Sequence, residues 1–159
     1  MDPAPDRDRD PATAYHEAGH AVVALALGRP VHKVSILPSR DKLGWCEYKK
    51  GVFRPSDDWL EREVLIALAG MAAEARHTGT YAREEAGRDL KFARSLLVSR
   101  AGDRRADRLE RRLLAKVEAL LGDDETWAAV EAVAAALLAS GEISGRAANH
   151  LYRRCVSDR

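Results

Sequence analysis

Apolar residues follow two rhythms along this chain. Over residues 13–27 small and aliphatic side chains fill most positions, with Ala14, Ala18, Ala21, Val22, Val23, Leu25 and Leu27 among them. A helix that is apolar around most of its circumference is one that is buried. Thr13 is the predicted N-cap, and Gly28 followed by Pro30 supplies the stop. Residues 31–37 change rhythm: Val31, Val34 and Ile36 are interleaved with His32, Lys33 and Ser35, as in a half-buried strand. A polar stretch at 38–42 leads to a second predicted strand at 44–49. The pair predicts a hairpin or short sheet laid against the first helix.

The helical period then takes over. Residues 51–55 read as a loop, and Asp58 with Glu61 three residues later forms a capping-box signal. It opens a helix to about residue 77, with Val64, Leu68, Met71, Ala72 and Ala75 as its apolar stripe. After a polar loop containing Gly79, a third helix runs over 88–100 with Leu90, Ala93 and Leu97 on one face, and Gly102 ends it. Leu109, Leu113, Val117 and Leu120 mark a fourth helix closed by Gly122. Trp127, Val130, Val133, Ala134, Leu137 and Leu138 mark a fifth closed by Gly141, and Ser144 caps a short last one. The expected fold class is α+β and predominantly helical: one helix, a small sheet, then a helical bundle. No repeat or second boundary interrupts it, so residues 13–157 are expected to form one domain behind a disordered tail at 1–12, which is rich in Pro and charge.

Composition narrows the function classes. The 159 residues are 46% apolar and 32% charged, the balance of a globular domain. Lys plus Arg number 26 and Asp plus Glu 25, a net +1 that gives no reason to expect nucleic acid or an acidic membrane surface as partner. Residues 100–112 hold six Arg against three acids at helical spacing, which reads as a solvated face. Cys46 and Cys155 are too few and too far apart for a disulfide framework or a thiolate zinc cage, and read as reduced thiols in the cytoplasm. No signal segment opens the chain, and its apolar run at 21–27 falls far short of the roughly 20 residues that span a bilayer.

The chemistry concentrates at H-E-A-G-H, residues 16–20. Residues four apart share a helix face, so the His16 and His20 imidazoles can grip one Zn²⁺ ion while Glu17 projects beside them. A zinc ion lowers the pKa of a coordinated water to about 7 and polarises a carbonyl. Glu17 is then placed to act as general base and to return the proton to the leaving amine. Two histidines leave a tetrahedral zinc one protein ligand short. Asp89, in the first turn of the third helix, and Glu74, on the helix before it, are the candidates, and spacing alone does not choose between them.

These segments resemble the peptidase domain of the FtsH-type, ATP-dependent zinc proteases. A-Y-H-E-A-G-H-A-V-V is similar to that family's zinc helix, and V-H-K-V-S-I-L-P with L-G-W-C-E-Y is similar to its following strand pair. A-L-A-G-M-A-A-E resembles its L-x-G-G-R-A-A-E helix, and G-R-D-L-K-F-A-R its N-D-L-x-x-A-T helix. The resemblance covers about residues 13–100 and implies a zincin-like fold, Asp89 as third zinc ligand, and Glu74 orienting a ligand from behind. It also implies a polypeptide substrate lying along an edge strand, for which 44–48 is the candidate. The family forms hexamers, which makes a homo-oligomer an open expectation. This sequence departs from the family at Met71, where the family has Arg, and at Ala69, where it has Gly. It also has no G-x-x-x-x-G-K-[ST] phosphate loop.

The function expected is therefore ATP-independent zinc endopeptidase action on unfolded or flexible polypeptide. Two alternatives are a catalytically silent binding or regulatory module on the same fold, and a peptidase subunit served by a separate ATPase. His32, His77 and His150 are expected to be structural or surface residues. Trp59 and Trp127 read as core or rim, and Trp45 as a residue that borders the cleft.

Overall fold

Asp10, not Thr13, caps the first helix. In the computed structural model, which describes residues 9–38, 44–49, 58–84 and 86–157, its carboxylate accepts the Ala12 N–H and the Thr13 hydroxyl, each at 3.0 Å. Pro11 follows at the first helical position, where its missing N–H is no loss and its fixed φ suits the helix. Helix α1 thus spans Pro11–Ala26. The end of the expected tail is ordered, because Arg9 donates to the Leu138 carbonyl at 2.9 Å and residues 10–12 start the helix. Positions 1–8 lie outside the described residues.

Strands β1 (Val31–Ser35) and β2 (Trp45–Tyr48) form the expected antiparallel pair, with Val34 opposite Cys46 and Ser35 opposite Trp45. A further strand, not expected from the sequence, completes the sheet among the described residues: β3 (Glu142–Ser144) pairs antiparallel to the other side of β1, giving the order β2-β1-β3. The strand is three residues long, wedged between the left-handed Gly141 (φ 81°) and a helix start, and so carries no period of its own. Its pairing places β1 at the centre and β2 at an edge.

The helices follow their expected signals closely. Asp58 accepts the Glu61 N–H at 2.9 Å and opens α2 (Trp59–Thr78), which Gly79 closes at φ 88°. Then come α3 (Gly87–Ala101), α4 (Asp103–Leu121), α5 (Asp124–Ser140) and α6 (Gly145–Cys155). Ser144 caps α6 by accepting the Ala147 N–H at 3.1 Å, and Asp123, which the sequence reading did not name, caps α5 from the Thr126 N–H at 3.0 Å. The expected loop at 51–55 lies outside the described residues. Among the described residues no helix is long and apolar enough to cross a membrane.

Helix α1 is the hub, packed against α2, α5, α6 and the sheet, while α3 and α4 pack on α2. Val22, Val23, Val64, Leu68, Val130 and Leu137 are all under 2% exposed and form the centre of the core. Met71 is also buried there, so the position that differs from the resembled family is filled by an apolar side chain.

Helices α1 and α2 approach closely because the residues between them are small. A Cβ on Gly19 would stand 2.5 Å from the Ala73 Cβ and 2.6 Å from the Ala69 carbonyl oxygen, both closer than real contacts allow. Gly19→Ala must therefore push the helices apart, although the same change in an uncrowded helix would stabilise it. We expect a loss of about 1–3 kcal/mol in denaturant unfolding; unchanged or raised stability would contradict this packing.

Candidate metal centre

The small-residue seam that brings α1 onto α2 also faces the two imidazoles of α1 toward α2 and the start of α3. His16 and His20, one helical turn apart, meet with ring centroids at 4.8 Å and planes at 78°. The Nε2 atom of each lies 3.0 Å from the same oxygen, Oδ2 of Asp89. Asp89 reaches them from the first turn of α3, where the helix dipole favours an acid.

Behind this convergence α2 supplies a second layer at positions eight residues, two turns, apart. Nδ1 of His20 donates to the Ile66 carbonyl at 2.7 Å. On the next turn but one, Oε1 of Glu74 lies 3.4 Å from Nδ1 of His16. In the neutral rings, a proton on each Nδ1 would turn each Nε2 lone pair into the site, the arrangement a metal-binding histidine needs. Glu74 is buried, not a solvated charge. The residues suit zinc: a tetrahedral ion with bonds of about 2.0–2.1 Å sets neighbouring ligand atoms roughly 3.3 Å apart, close to the 3.0 Å seen from Asp89 to both rings.

The electrostatics favour a cation at this point. Burial opposes charge on His16, but hydrogen bonds to Asp89 and Glu74, with the field of Glu17, raise its pKa to about 10. His20 shifts upward too: burial pulls it down and Asp89 outweighs that. Asp89 is held well below the usual carboxylate range, because His20 and His16 overcome the effect of its burial.

A cleft of about 730 Å³ opens over the two histidines, and every sequence-predicted site residue lines it: His16, Glu17, His20, Glu74 and Asp89. Glu17 is buried within it, with ring nitrogens of both histidines inside 4.8 Å of its carboxylate. Its Cγ stands close to the backbone of Gly44, where a Cβ would approach to 2.9 Å. Strand β2 contributes Cys46 and Tyr48 to the wall, and Phe92 of α3 stands 48% exposed at the rim. Arg29 closes one end, ion-paired to Glu63 and stacked 4.5 Å over the Tyr48 ring.

The Ile66 carbonyl is main chain and carries no residue signature in the sequence. The spacing of 66, 70 and 74 along α2, matching the spacing of the histidines, is the signal that could have found it. The other histidines stay out of the cleft lining. His77 stacks on Tyr15, with centroids at 3.9 Å and planes at 5°, and Trp127 lies on the other side of that ring at 5.7 Å. Trp59 is 54% exposed and so belongs to the surface, not the core. The Trp45 side chain lies outside the described residues.

Comparison with known proteins places the chain in a family. Residues 5–101 match the model of Peptidase family M41. The chain belongs to that family, a family of metallopeptidases. It is 37% identical over 93 residues to the ATP-dependent zinc metalloprotease FtsH of Caldicellulosiruptor bescii, which covers 54% of this chain and 15% of that protein. It is 41% identical over 96 residues to the FtsH of Cupriavidus metallidurans, covering 55% of this chain and 14% of the relative. Against the ATP-dependent zinc metalloprotease YME1L of Drosophila melanogaster the figures are 35% over 104 residues, 62% and 14%. The matched region is thus about a seventh of the length of these relatives.

Burial beside Glu17 has a measurable consequence at Cys46. Burial foremost, and then the Glu17 charge, push its thiol far above the ordinary range despite a hydrogen bond with Tyr48. Cys46 is therefore expected to resist iodoacetamide at pH 8 in the folded protein and to react on unfolding, as read by peptide mass spectrometry. Rapid labelling of native protein at Cys46 would contradict its burial beside the Glu17 carboxylate.

Proposed function

We propose that this chain is a zinc-dependent endopeptidase acting on unfolded or flexible polypeptide. The observation that carries the reading is the meeting of His16 Nε2 and His20 Nε2 on one Asp89 oxygen, with the buried Glu17 carboxylate beside them. Its relatives' printed names, zinc metalloproteases all, support it. His16, His20 and Asp89 hold the ion, and Glu74 and the Ile66 carbonyl fix the two rings. Bound zinc supplies Lewis acidity, polarising the scissile carbonyl and acidifying water.

The chain's own residues do the rest. Glu17 accepts the proton of the attacking water on its carboxylate and delivers it to the leaving nitrogen. The partial burial of these groups strengthens the charge interactions among them. The substrate lies extended along β2, the edge of the sheet, pairing its backbone N–H and C=O groups there. That mode requires free backbone groups, which a stably folded protein exposes only rarely given about 5–15 kcal/mol of stability. The 159 residues contain no phosphate loop, so cleavage by them is independent of ATP.

Three variants test the assignment together. Asp89→Ala should lose most of its zinc, and Glu74→Ala should weaken zinc binding by about 10–100-fold. Glu17→Gln should keep its zinc and lose at least about a hundredfold in peptidase activity. If Asp89→Ala keeps full zinc while Glu74→Ala loses it, the ligand carboxylate is the wrong one.

Substrate range is tested by digesting casein and a tightly folded domain side by side, with and without ATP and magnesium. Casein should be cut in both conditions and the folded domain spared. Rapid digestion of the folded domain contradicts the edge-strand reading. Full zinc with no cleavage would turn the reading toward a binding or regulatory module, and ATP stimulation toward a subunit that works with a separate ATPase.

A further inference from the structure

The three atoms nearest to a side chain at Gly70 would all belong to the metal site. A Cβ built on Gly70 lies 2.4 Å from His20 Nε2, 2.7 Å from His16 Nε2 and 2.7 Å from His20 Cε1. Both Nε2 atoms are the ones that point at Asp89. A zinc ion stands about 2.0–2.1 Å from an imidazole nitrogen, so such a carbon would compete for the same space in front of the two rings.

Backbone conformation does not explain a glycine here. The glycines with positive φ are Gly28, Gly79, Gly102 and Gly141, whereas Gly70 sits inside α2 in helical conformation. Glycine in a helix interior is less stable than alanine, because it loses more freedom on folding. Close helix packing does not explain it either. Gly19, on the opposite helix, is crowded by Ala73 and Ala69, which are packing atoms, while Gly70 is crowded by imidazoles alone among its three nearest atoms. Its neighbours one turn away on α2 are Ile66 and Glu74, the two residues that hold the Nδ1 atoms.

We propose that Gly70 is a positioning residue for the metal. Its bare backbone forms the floor against which the two Nε2 atoms converge, and a methyl group there excludes the ion or turns the rings away from it. This rests on the zinc-site reading. It assigns to one α2 row the whole rear of the site: carbonyl at 66, empty space at 70, carboxylate at 74.

The test is Gly70→Ala, read by metal affinity and by melting without metal. Zinc affinity is measured by competition with a chromophoric chelator, and coordination by the visible absorption of the Co²⁺-loaded protein. Gly70→Ala should bind zinc at least about tenfold more weakly than wild type, the scale of a lost supporting contact, and its Co²⁺ spectrum should lose tetrahedral intensity. Melting temperatures are compared in the wild-type background and in His16→Ala/His20→Ala, with chelator present. The substitution should lower the melting temperature when the imidazoles are there, and leave it unchanged or raise it when they are not. This comparison holds even if the single variant folds poorly.

Wild-type zinc affinity in Gly70→Ala would overturn the proposal while leaving the zinc reading in place. The same melting penalty in both backgrounds would overturn it too, since the crowding would then lie elsewhere. Failure of the wild-type chain to bind zinc would instead remove the zinc reading and this inference with it.

Discussion

The closeness of α1 to α2 is the constraint on which the site depends. Two antiparallel helices with ordinary side chains between them would hold their axes too far apart for an imidazole on one to reach the main chain of the other. Here Gly19 lies on Ala69 and Ala73, and Gly70 lies under the two histidine rings. Ala14, Ala18 and Ala21 extend the same small-residue character along α1, and all are fully buried. That approach lets His20 reach the Ile66 carbonyl directly, a contact no larger interface would permit. The i, i+4 row of α1 and the i, i+4 row of α2 then run against each other, His20 beside Ile66 and His16 beside Glu74.

Placing polar groups in so tight a seam is costly unless each has a partner. Glu17, His20 and Glu74 are each 6% exposed, on helices that are otherwise apolar where they touch. The cost is offset locally. Each histidine is anchored at Nδ1 and converges at Nε2, and Asp89 balances both from α3. The raised pKa of His16 and the lowered one of Asp89 follow from this crowding of opposite charge under partial burial. The same cluster of two imidazoles and a carboxylate is the kind of donor set that a divalent cation such as zinc takes.

Much of this was legible in the residues. The H-E-A-G-H spacing located two histidines and a carboxylate that the structure brings together, and Asp58, Gly102, Gly141 and Ser144 marked helix ends that the structure places within a residue or so. Each of those signals is local: a side chain bonding the nearest orphan N–H, or a glycine at positive φ. The misses were of two kinds. Asp10 was passed over for Thr13 because the charged, Pro-containing run around it reads as tail, and the Asp-Pro pair that starts α1 looks alike in a coil. Strand β3 was missed because its three residues form a strand only by pairing with β1, more than a hundred residues earlier in the chain. Spacing did not separate Glu74 from Asp89 because the contact and burial that place Glu74 beside His16 come from α1 packing over it. Local chemistry is written in the sequence, and what depends on distant packing is not.

The most direct measurement of the central claim is the zinc K-edge X-ray absorption spectrum of the purified, zinc-loaded chain. The arrangement predicts a four-coordinate shell of nitrogen and oxygen alone at about 2.0–2.2 Å, with the outer-shell scattering of two imidazoles. A sulfur neighbour at about 2.3 Å, which would bring Cys46 into the shell, or a spectrum without imidazole scattering, would contradict it.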